Sequence, residues 1–546
     1  MLNYFIEDKL VTLDVNNDLI VSIKKETVPL ENGKRIIYKL LTKKSIKLQS
    51  FVIDLPFKYH KSDYICPNGY QSWTDTLVRK RNGKMHSLSH LPKSIKDMYC
   101  FEYYGDSYFK KYNSKSGYFH GFSFTYILGK EDTLFASLNE RNYYTIFNFD
   151  KSDYVHVESD VEGEVVEKET ILLDFIVING KINELFNTYK KLLNYKVVDK
   201  DINGYTTWYN YYQDINEDII LRDLSSLDDS YNLFQIDDGY ATAVGDFKNI
   251  DKTKFPNGLK FVVDKIHQSH KLAGIWFAPF IGEEKSETFK NHPDWFIKKD
   301  GKPLKVGTNW SGFYALDFDN EKVKEYIKSE LKFLVNEVGF DFIKIDFLHA
   351  VCINHQNKSR AKQMYQALKF IRECVPNTLI LGCGVPLASA FGVVDYCRIG
   401  PDVSLIFDDV WFMKFMHRER ISTKITLQNT INRYYINELG FNNDPDVYIM
   451  RKENVKLNKL QKEALIIINY IFGSIYMTSD NIANYDTSKK ELMQKYQEFK
   501  HHKVISITYD KKYIKFVTEF NKNRYNFSYD TKKGELSYGK IQRNIW

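Results

Sequence analysis

At 546 residues, 43% of them apolar, the chain has enough material for a large core and for two or three domains. Lys+Arg exceed Asp+Glu by 77 − 70 = 7, but the basic residues are scattered through mixed runs such as KSIKDMYC and NKNRYNF, so no stripe tracks phosphates and no nucleic-acid partner is expected. MLNYFIEDKLVTLDV is acidic where a signal peptide needs a basic start, and the longest apolar stretch, Ala464 to Phe472, is about half of the roughly 20 residues of a spanning helix; neither export by that route nor a membrane partner is expected.

From the start to about residue 180 the pattern alternates with period two. In GFSFTYILG, Phe122, Phe124 and Tyr126 point one way and Ser123 and Thr125 the other; ASLNERNYYTIFNF and ETILLDFIVI read as further strands. This half predicts a β-sandwich. A helical piece, INELFNTYKKLLN, leads to Asp201, after which the rhythm becomes strand, loop, helix. Buried-strand candidates follow in order: GYTTWYN, NLFQIDDG, LAGIWFAPF, FDFIKIDF, TLILGCG, DYCRIGPD, NDPDVYIM and SIYMTSD. Between several of them lie apolar stripes of helical period: Leu259, Val262, Val263, Ile266; then Val323, Ile327, Leu331, Leu334, with Asp319 as the expected N-cap and Gly339 as the stop; then Met364, Ala367, Leu368, Ile371 before Pro376. Eight strands alternating with helices predict a (β/α)8 barrel. VISITYDKKYIKFV and RYNFSYDTKKGELSYG predict a small antiparallel tail. The expected fold is multidomain, α/β plus all-β: an N-terminal β-sandwich over 1–185, a TIM-like barrel over 186–482 and a C-terminal antiparallel β-domain over 483–546.

In such a barrel functional groups gather where the strands end, so polar residues closing apolar strands are the candidates. They are Asp237 and Asp238, Trp276, Lys344 and Asp346, Cys383, and Arg398 with Asp402. A single Asp after a strand is as often a helix cap or an Asx-turn. The joint pattern is harder to explain that way. Lys344 and Asp346 are two apart, so Phe342, Lys344 and Asp346 face inward and Ile343, Ile345 and Phe347 outward, and a charged pair at a barrel mouth is costly unless it binds something. Trp276 fits barrel filling as well as stacking on a sugar face, and Cys383 alone reads as a small core residue. The six cysteines, Cys66, Cys100, Cys352, Cys374, Cys383 and Cys397, show no C-x-x-C pair and no clustering with His, so no metal site, no cofactor and no disulfide framework are expected, and reduced thiols fit a cytoplasmic location. Carboxylates, Trp and Arg without metal ligands are the parts for glycosidic bond cleavage. A divalent-metal site is the rival reading, and Lys344 beside Asp346 argues against it because an ammonium repels the ion.

NGYQSW (Asn68 to Trp73), FQIDDGY, GIWFAPF, HPDWF, DFIKIDF, GCGVPL followed by DYCRIGPDV, and NDPD (Asn443 to Asp446), in that order, resemble the signature of glycoside hydrolase family 36, the microbial α-galactosidases. The resemblance implies a retaining α-galactosidase acting on an oligosaccharide or glycoside substrate, with an N-terminal β-supersandwich, a catalytic barrel and a small β-domain. It implies Asp346 as nucleophile, Asp402 as acid/base, and Asp237 with Asp238 as the grip on the 4- and 6-hydroxyls of galactose. Lys344, Arg398, Cys383 and Trp276 match other positions around the sugar, Trp73 a residue lent by the N-terminal domain, and Trp208 a wall. The chain departs from the pattern in GYTTWYNYY after the first strand and in being short for the family, whose longer members are tetramers; a homo-oligomer stays open here. α-N-acetylgalactosaminidase and a non-catalytic glycan-binding barrel are the alternatives.

Overall fold

The computed structural model describes residues 1–6, 9–13, 20–408, 413 and 416–541. Two seven-stranded antiparallel sheets occupy the N-terminal part. One contains Leu2–Ile6, Ile46–Pro56, Tyr154–Ser159, Thr145–Phe149 and Phe119–Phe122; the other contains Val21–Leu30, Gly33–Thr42, Glu169–Gly180, Asp132–Ser137, Phe124–Leu128 and Tyr64–Pro67. Leu48, Phe51, Phe135, Phe147 and Phe175 pack in one core that draws on both sheets.

GFSFTYILG is not one strand. It breaks at Ser123, whose φ of 65° turns the chain, so Phe119–Phe122 pairs in the first sheet and Phe124–Leu128 in the second. The residues from Phe122 to Tyr126 are all buried, which removes the expected two-faced alternation. ASLNERNYYTIFNF likewise splits into Asp132–Ser137 and Thr145–Phe149 in different sheets. A corner between two sheets gives both flanking strands an apolar side, so the sequence reads through it as one ribbon.

The Ile182–Leu193 helix leads into a parallel sheet of nine segments. In sheet order from the first they are Ile202–Thr206, Leu233–Ile236, Leu272–Phe277, Phe342–Ile345, Leu379–Gly382, Tyr396–Arg398 and Asn442–Asp444 on one side, and Ile475–Thr478 then Val447–Tyr448 on the other. Every candidate strand supplies one segment, except NDPDVYIM, which supplies both ends of the sheet. Only Pro445 and Asp446 separate those two ends, so the sheet turns back on itself there. Strand interiors are continuously buried, as a parallel sheet covered on both faces requires.

The helices Gly258–Gln268, Glu321–Lys332 and Arg360–Cys374 bury the expected stripes. The N-cap of the second is Asn320, not Asp319: the Asn320 side chain accepts from the backbone N–H of Lys322, while Asp319 takes the Lys358 ammonium at 2.6 Å. Gly339 does end that run, with φ 101°. Lys459–Phe472, opened by an Asn458–Gln461 capping box, is buried from Ala464 to its end. Among the described residues no helix is long and apolar enough to cross a membrane. The tail forms four antiparallel strands from Lys503 to Lys540, and Phe516, stacked on Phe527, meets Phe472 of the buried helix at 5.0 Å. The architecture is α/β plus antiparallel β.

Candidate active site

Asp237, Asp238, Trp276, Lys344, Asp346, Asp402, Trp73 and Trp208 line one cavity of about 950 Å³ at the C-terminal ends of the parallel strands. Cys383 and Arg398 are buried and stand behind it.

Parallel strands in register place the charged groups. Trp276 is paired with Lys344 across neighbouring strands, and Asp346 lies two residues on. The Lys344 ammonium donates to Asp237 Oδ2 at 2.9 Å and stands 3.9 Å from Asp346 Oδ2, so its nearer partner is the acid of the second strand. Asp237 Oδ2 also accepts from Gln235 Nε2 at 2.8 Å, and the Asp237 N–H donates to the Thr207 hydroxyl at 2.9 Å. Burial lowers the pKa of Lys344, but the charges of Asp237 and Asp346 outweigh it and hold the ammonium above its ordinary value.

Asp346 accepts from Trp276 Nε1 at 3.1 Å and from the Phe347 N–H at 2.8 Å. Burial raises its pKa, and the Lys344 charge works the other way. Asp238 Oδ2 accepts from Gln213 Nε2 at 2.9 Å and Trp310 Nε1 at 2.8 Å. Burial pushes Asp238 up to about 6, the nearby Asp237 charge adding to it.

Asp402 follows the sixth strand and is held by Arg398 Nη1 at 2.9 Å. The same guanidinium contacts Asp444 through Nε at 3.0 Å and Asp446 through Nη2 at 2.9 Å. One buried cation thus serves three carboxylates. Burial raises Asp446, which accepts from the Tyr209 hydroxyl and from the Val403 N–H at 2.7 Å. That last bond ties the loop carrying Asp402 to Asp446, between the strands Asn442–Asp444 and Val447–Tyr448. Arg398 therefore orients Asp402 from behind the cavity wall.

Trp73 comes from the N-terminal part. Its indole N–H donates to Cys383 Sγ at 3.3 Å, which gives Cys383 a partner in the site although it does not line the cavity. The loop bearing Trp73 is fixed by fully buried Arg433, which donates to the carbonyls of Ser72 at 2.6 Å and Ile399 at 2.8 Å, and by Ser72, whose N–H reaches the Val385 carbonyl at 2.9 Å. Trp208 opens the short helix Trp208–Tyr211 and meets Tyr212 edge-on at 5.2 Å.

Phe347, expected to face outward with Ile343 and Ile345, lines the cavity instead. The strand ends at Ile345, and Phe347 takes φ 54°, which swings its ring back to meet Trp73 at 5.2 Å. Tyr212, Trp310 and Asp446 also hold positive φ, at 49°, 55° and 75°. Three of these strained non-glycine residues line the cavity and Asp446 stands behind it; each costs about 1–3 kcal/mol and persists because the packing over-determines it. Sequence reasoning missed Trp310, Tyr209 and Gln213. Tyr209 lies in the departing segment after the first strand, Gln213 directly after it, and Trp310 in a loop between sheet strands, where period and strand-end position give no signal.

An α/β scaffold with a carboxylate-rich, tryptophan-walled pocket at its strand ends is the class that fold and site define. Comparison with known proteins narrows it. Residues 176–375 match the Melibiase family model. An α-galactosidase of Escherichia coli is 29% identical over 175 residues, which are 30% of this chain and 24% of that protein. An A type blood α-D-galactosamine galactosaminidase of Flavonifractor plautii is 30% identical over 176 residues, 28% of this chain and 16% of that one. The aligned stretch spans between about a fifth and a third of the length of the first three curated relatives. The α-galactosidase of Thermus thermophilus superposes with a TM-score of 0.72 at 21% identity, covering 92% of this chain and 98% of that one. The family 36 α-galactosidase AgaA of Geobacillus stearothermophilus gives 0.65 at 13% identity, covering 93% and 73%. Over residues 176–375 the chain thus resembles the Melibiase family, and its fold is that of the family 36 α-galactosidases.

Proposed function

We propose that the protein is a retaining α-galactosidase that removes terminal α-linked galactose from oligosaccharides or glycosides. The observation that carries this is the pairing, across one cavity, of buried Asp346, clasped by Trp276 and Lys344, with Asp402 on the Arg398 anchor. In this reading Asp346 attacks the anomeric carbon while Asp402 protonates the departing oxygen. Asp402 then takes a proton from water, which releases the sugar with its configuration retained. Asp237 and Asp238 hold hydroxyls of the sugar, Trp276, Trp73 and Trp208 wall it, and Lys344, Arg398 and Cys383 set the charge and position of those groups. Six carboxyls against two cations leave the inner site net negative, which suits an oxocarbenium-like transition state.

The returning parallel sheet is read as a closed (β/α)8 barrel whose seventh strand is interrupted at Pro445-Asp446. The chain divides into a β-sandwich over 1–185, the barrel over 186–482 and a β-domain over 483–546. All six cysteines are free, which supports a reducing, cytoplasmic setting.

A second reading is α-N-acetylgalactosaminidase on the same scaffold; the Flavonifractor relative, named for galactosamine, supports only a sugar carrying nitrogen at C2. Assay of the nitrophenyl α-galactoside beside its 2-acetamido analogue tests both: release from the first alone is expected, release from the second alone moves the assignment to the alternative, and release from neither removes the enzymatic reading.

A further inference from the structure

Beyond the sugar, the cavity changes character. Of the twelve large apolar side chains exposed among the described residues, five gather at its mouth or on the helix that borders it: Ile95, Met98, Tyr99, Tyr212 and Ile421. Tyr99, Tyr212 and Ile421 line the cavity itself. Ile95, Met98 and Tyr99 stand at i, i+3 and i+4 of the Lys93–Tyr99 helix, which buries none of its residues, so they form one apolar stripe running outward from the opening. Met98 is 66% exposed and Ile421 51%.

Several polar groups of the same wall are already engaged. Asn309 accepts from the Tyr104 hydroxyl at 2.7 Å, Gln213 donates to Asp238, Arg420 donates to Asp408 at 2.8 Å, and Glu419 accepts from Thr74 at 2.8 Å. His417 Nδ1 has no hydrogen-bond partner, but its ring is buried behind Phe101, with the centroids 4.7 Å apart. Arg420 Nε has no hydrogen-bond partner and Asp214 also lines the cavity, so the wall keeps some polar capacity, but its outer edge is dominated by exposed apolar side chains. An apolar group would find a matching wall.

The occupant is fixed by connectivity. The leaving group is bonded to the anomeric carbon between Asp346 and Asp402, so whatever it is must lie in the mouth. We propose that the mouth is a subsite for an apolar leaving group, an alkyl or acyl-chain alcohol, carried along the Ile95–Met98–Tyr99 stripe. The substrate class this selects is the amphiphilic α-glycoside, and the inference rests on the glycosidase reading above.

Methyl and octyl α-galactopyranoside test it, because the two alcohols leave with similar ease and differ only in the chain that reaches the mouth. Released galactose is measured below the detergent's micelle concentration. The octyl glycoside should show kcat/KM at least about tenfold above the methyl one, since contact with the stripe removes methylenes from water. The double variant Ile95→Ser/Met98→Ser should lower the octyl-to-methyl ratio at least about threefold. Equal turnover of the two glycosides by the wild type overturns the subsite and leaves the glycosidase reading standing; no turnover of either overturns both. An equal loss on both substrates in the variant assigns the stripe to folding. Sedimentation separates the remaining occupant: a wild-type assembly that dissociates in the variant gives the face to a second copy of the chain and overturns the proposal.

Discussion

Asp346 and Asp402 face one cavity from unlike surroundings. Asp346 closes a strand, its side chain is 9% exposed, and an indole and a backbone N–H fix both of its oxygens. Asp402 lies on a loop, its side chain is 29% exposed, and a single guanidinium shared with Asp444 and Asp446 holds it. A nucleophile needs one position and little water, whereas a group that gives and then regains a proton needs access to water and freedom from a dedicated counter-ion. The two environments divide along those needs, and the division can be tested.

Asp346→Ala should fall below roughly a thousandth of wild-type activity on every substrate, since no second group can attack the carbon. Asp402→Ala should lose a similar factor, about 10²–10⁴, only where the leaving group is poor. With an acidic nitrophenol it should still form the glycosyl-enzyme, release a burst of phenol and then stall. Identical defects on natural and activated substrates would break the comparison. Proton NMR of early hydrolysis should show α-galactose first, as two successive displacements at one carbon require.

Of the site's inner half, much was legible in the sequence because strand ends are where apolar runs stop. Asp237, Asp238, Trp276, Lys344 and Asp346 follow from that rule alone, and the structure brings all five to one cavity. Period-two reasoning failed at Phe347, where a positive φ reverses the side of the strand, and at Ser123, where a corner hands the chain to another sheet. It also gave Asp319 a cap that its neighbour Asn320 makes. Arg433 carried no signal at all: it is a buried cation bonded mainly to carbonyls, and the loop it fixes lies more than 350 residues away in sequence. Local pattern holds no information about such a partner.

A smaller contrast separates Asp237, neutralised by Lys344, from Asp238, bonded only to neutral donors among its side-chain partners. Asp238→Asn should lower α-galactoside turnover at least about tenfold, because an amide cannot accept from a sugar hydroxyl with both atoms. It should also stabilise the free protein. The pKa of Asp238 rises from 3.8 to about 6 on folding, so below 3.8 both states are protonated and the acid carries no penalty. The penalty grows as pH rises between those values and is full above about 6. Unfolding free energies of wild type and variant should therefore converge near pH 4 and differ at pH 7 in the variant's favour, by about 1–2 kcal/mol after allowance for the imperfect amide. A variant less stable than wild type at pH 7 would show that the carboxylate is held by more than its two donors.

Cys383→Ala should act more weakly still. It leaves the Trp73 indole N–H without its acceptor while the ring stays packed on Phe347 and His349. The expected result is a rise in KM of about three- to tenfold with kcat little changed, the mark of a wall residue that binds ground and transition states alike. A fall in kcat at constant KM would place Trp73 in the chemistry rather than in the wall.

The smallest effect expected is that of metal removal. Asp237 is turned toward Lys344, and Asp402, Asp444 and Asp446 toward Arg398. An added divalent ion would have to displace those fixed cations or sit beside them, and the like charge opposes it. Among the described residues no group of three or more His, Cys, Asp or Glu is arranged to hold an ion. The proposed carboxylate mechanism needs none, because in it Asp402 would supply the proton and Asp346 the nucleophile. Dialysis against EDTA should change kcat/KM by less than about twofold. A larger loss, restored by adding back one divalent ion, would mean that some of these acids bind metal when the enzyme works, and the contrast between Asp346 and Asp402 would have to be redrawn around that ion.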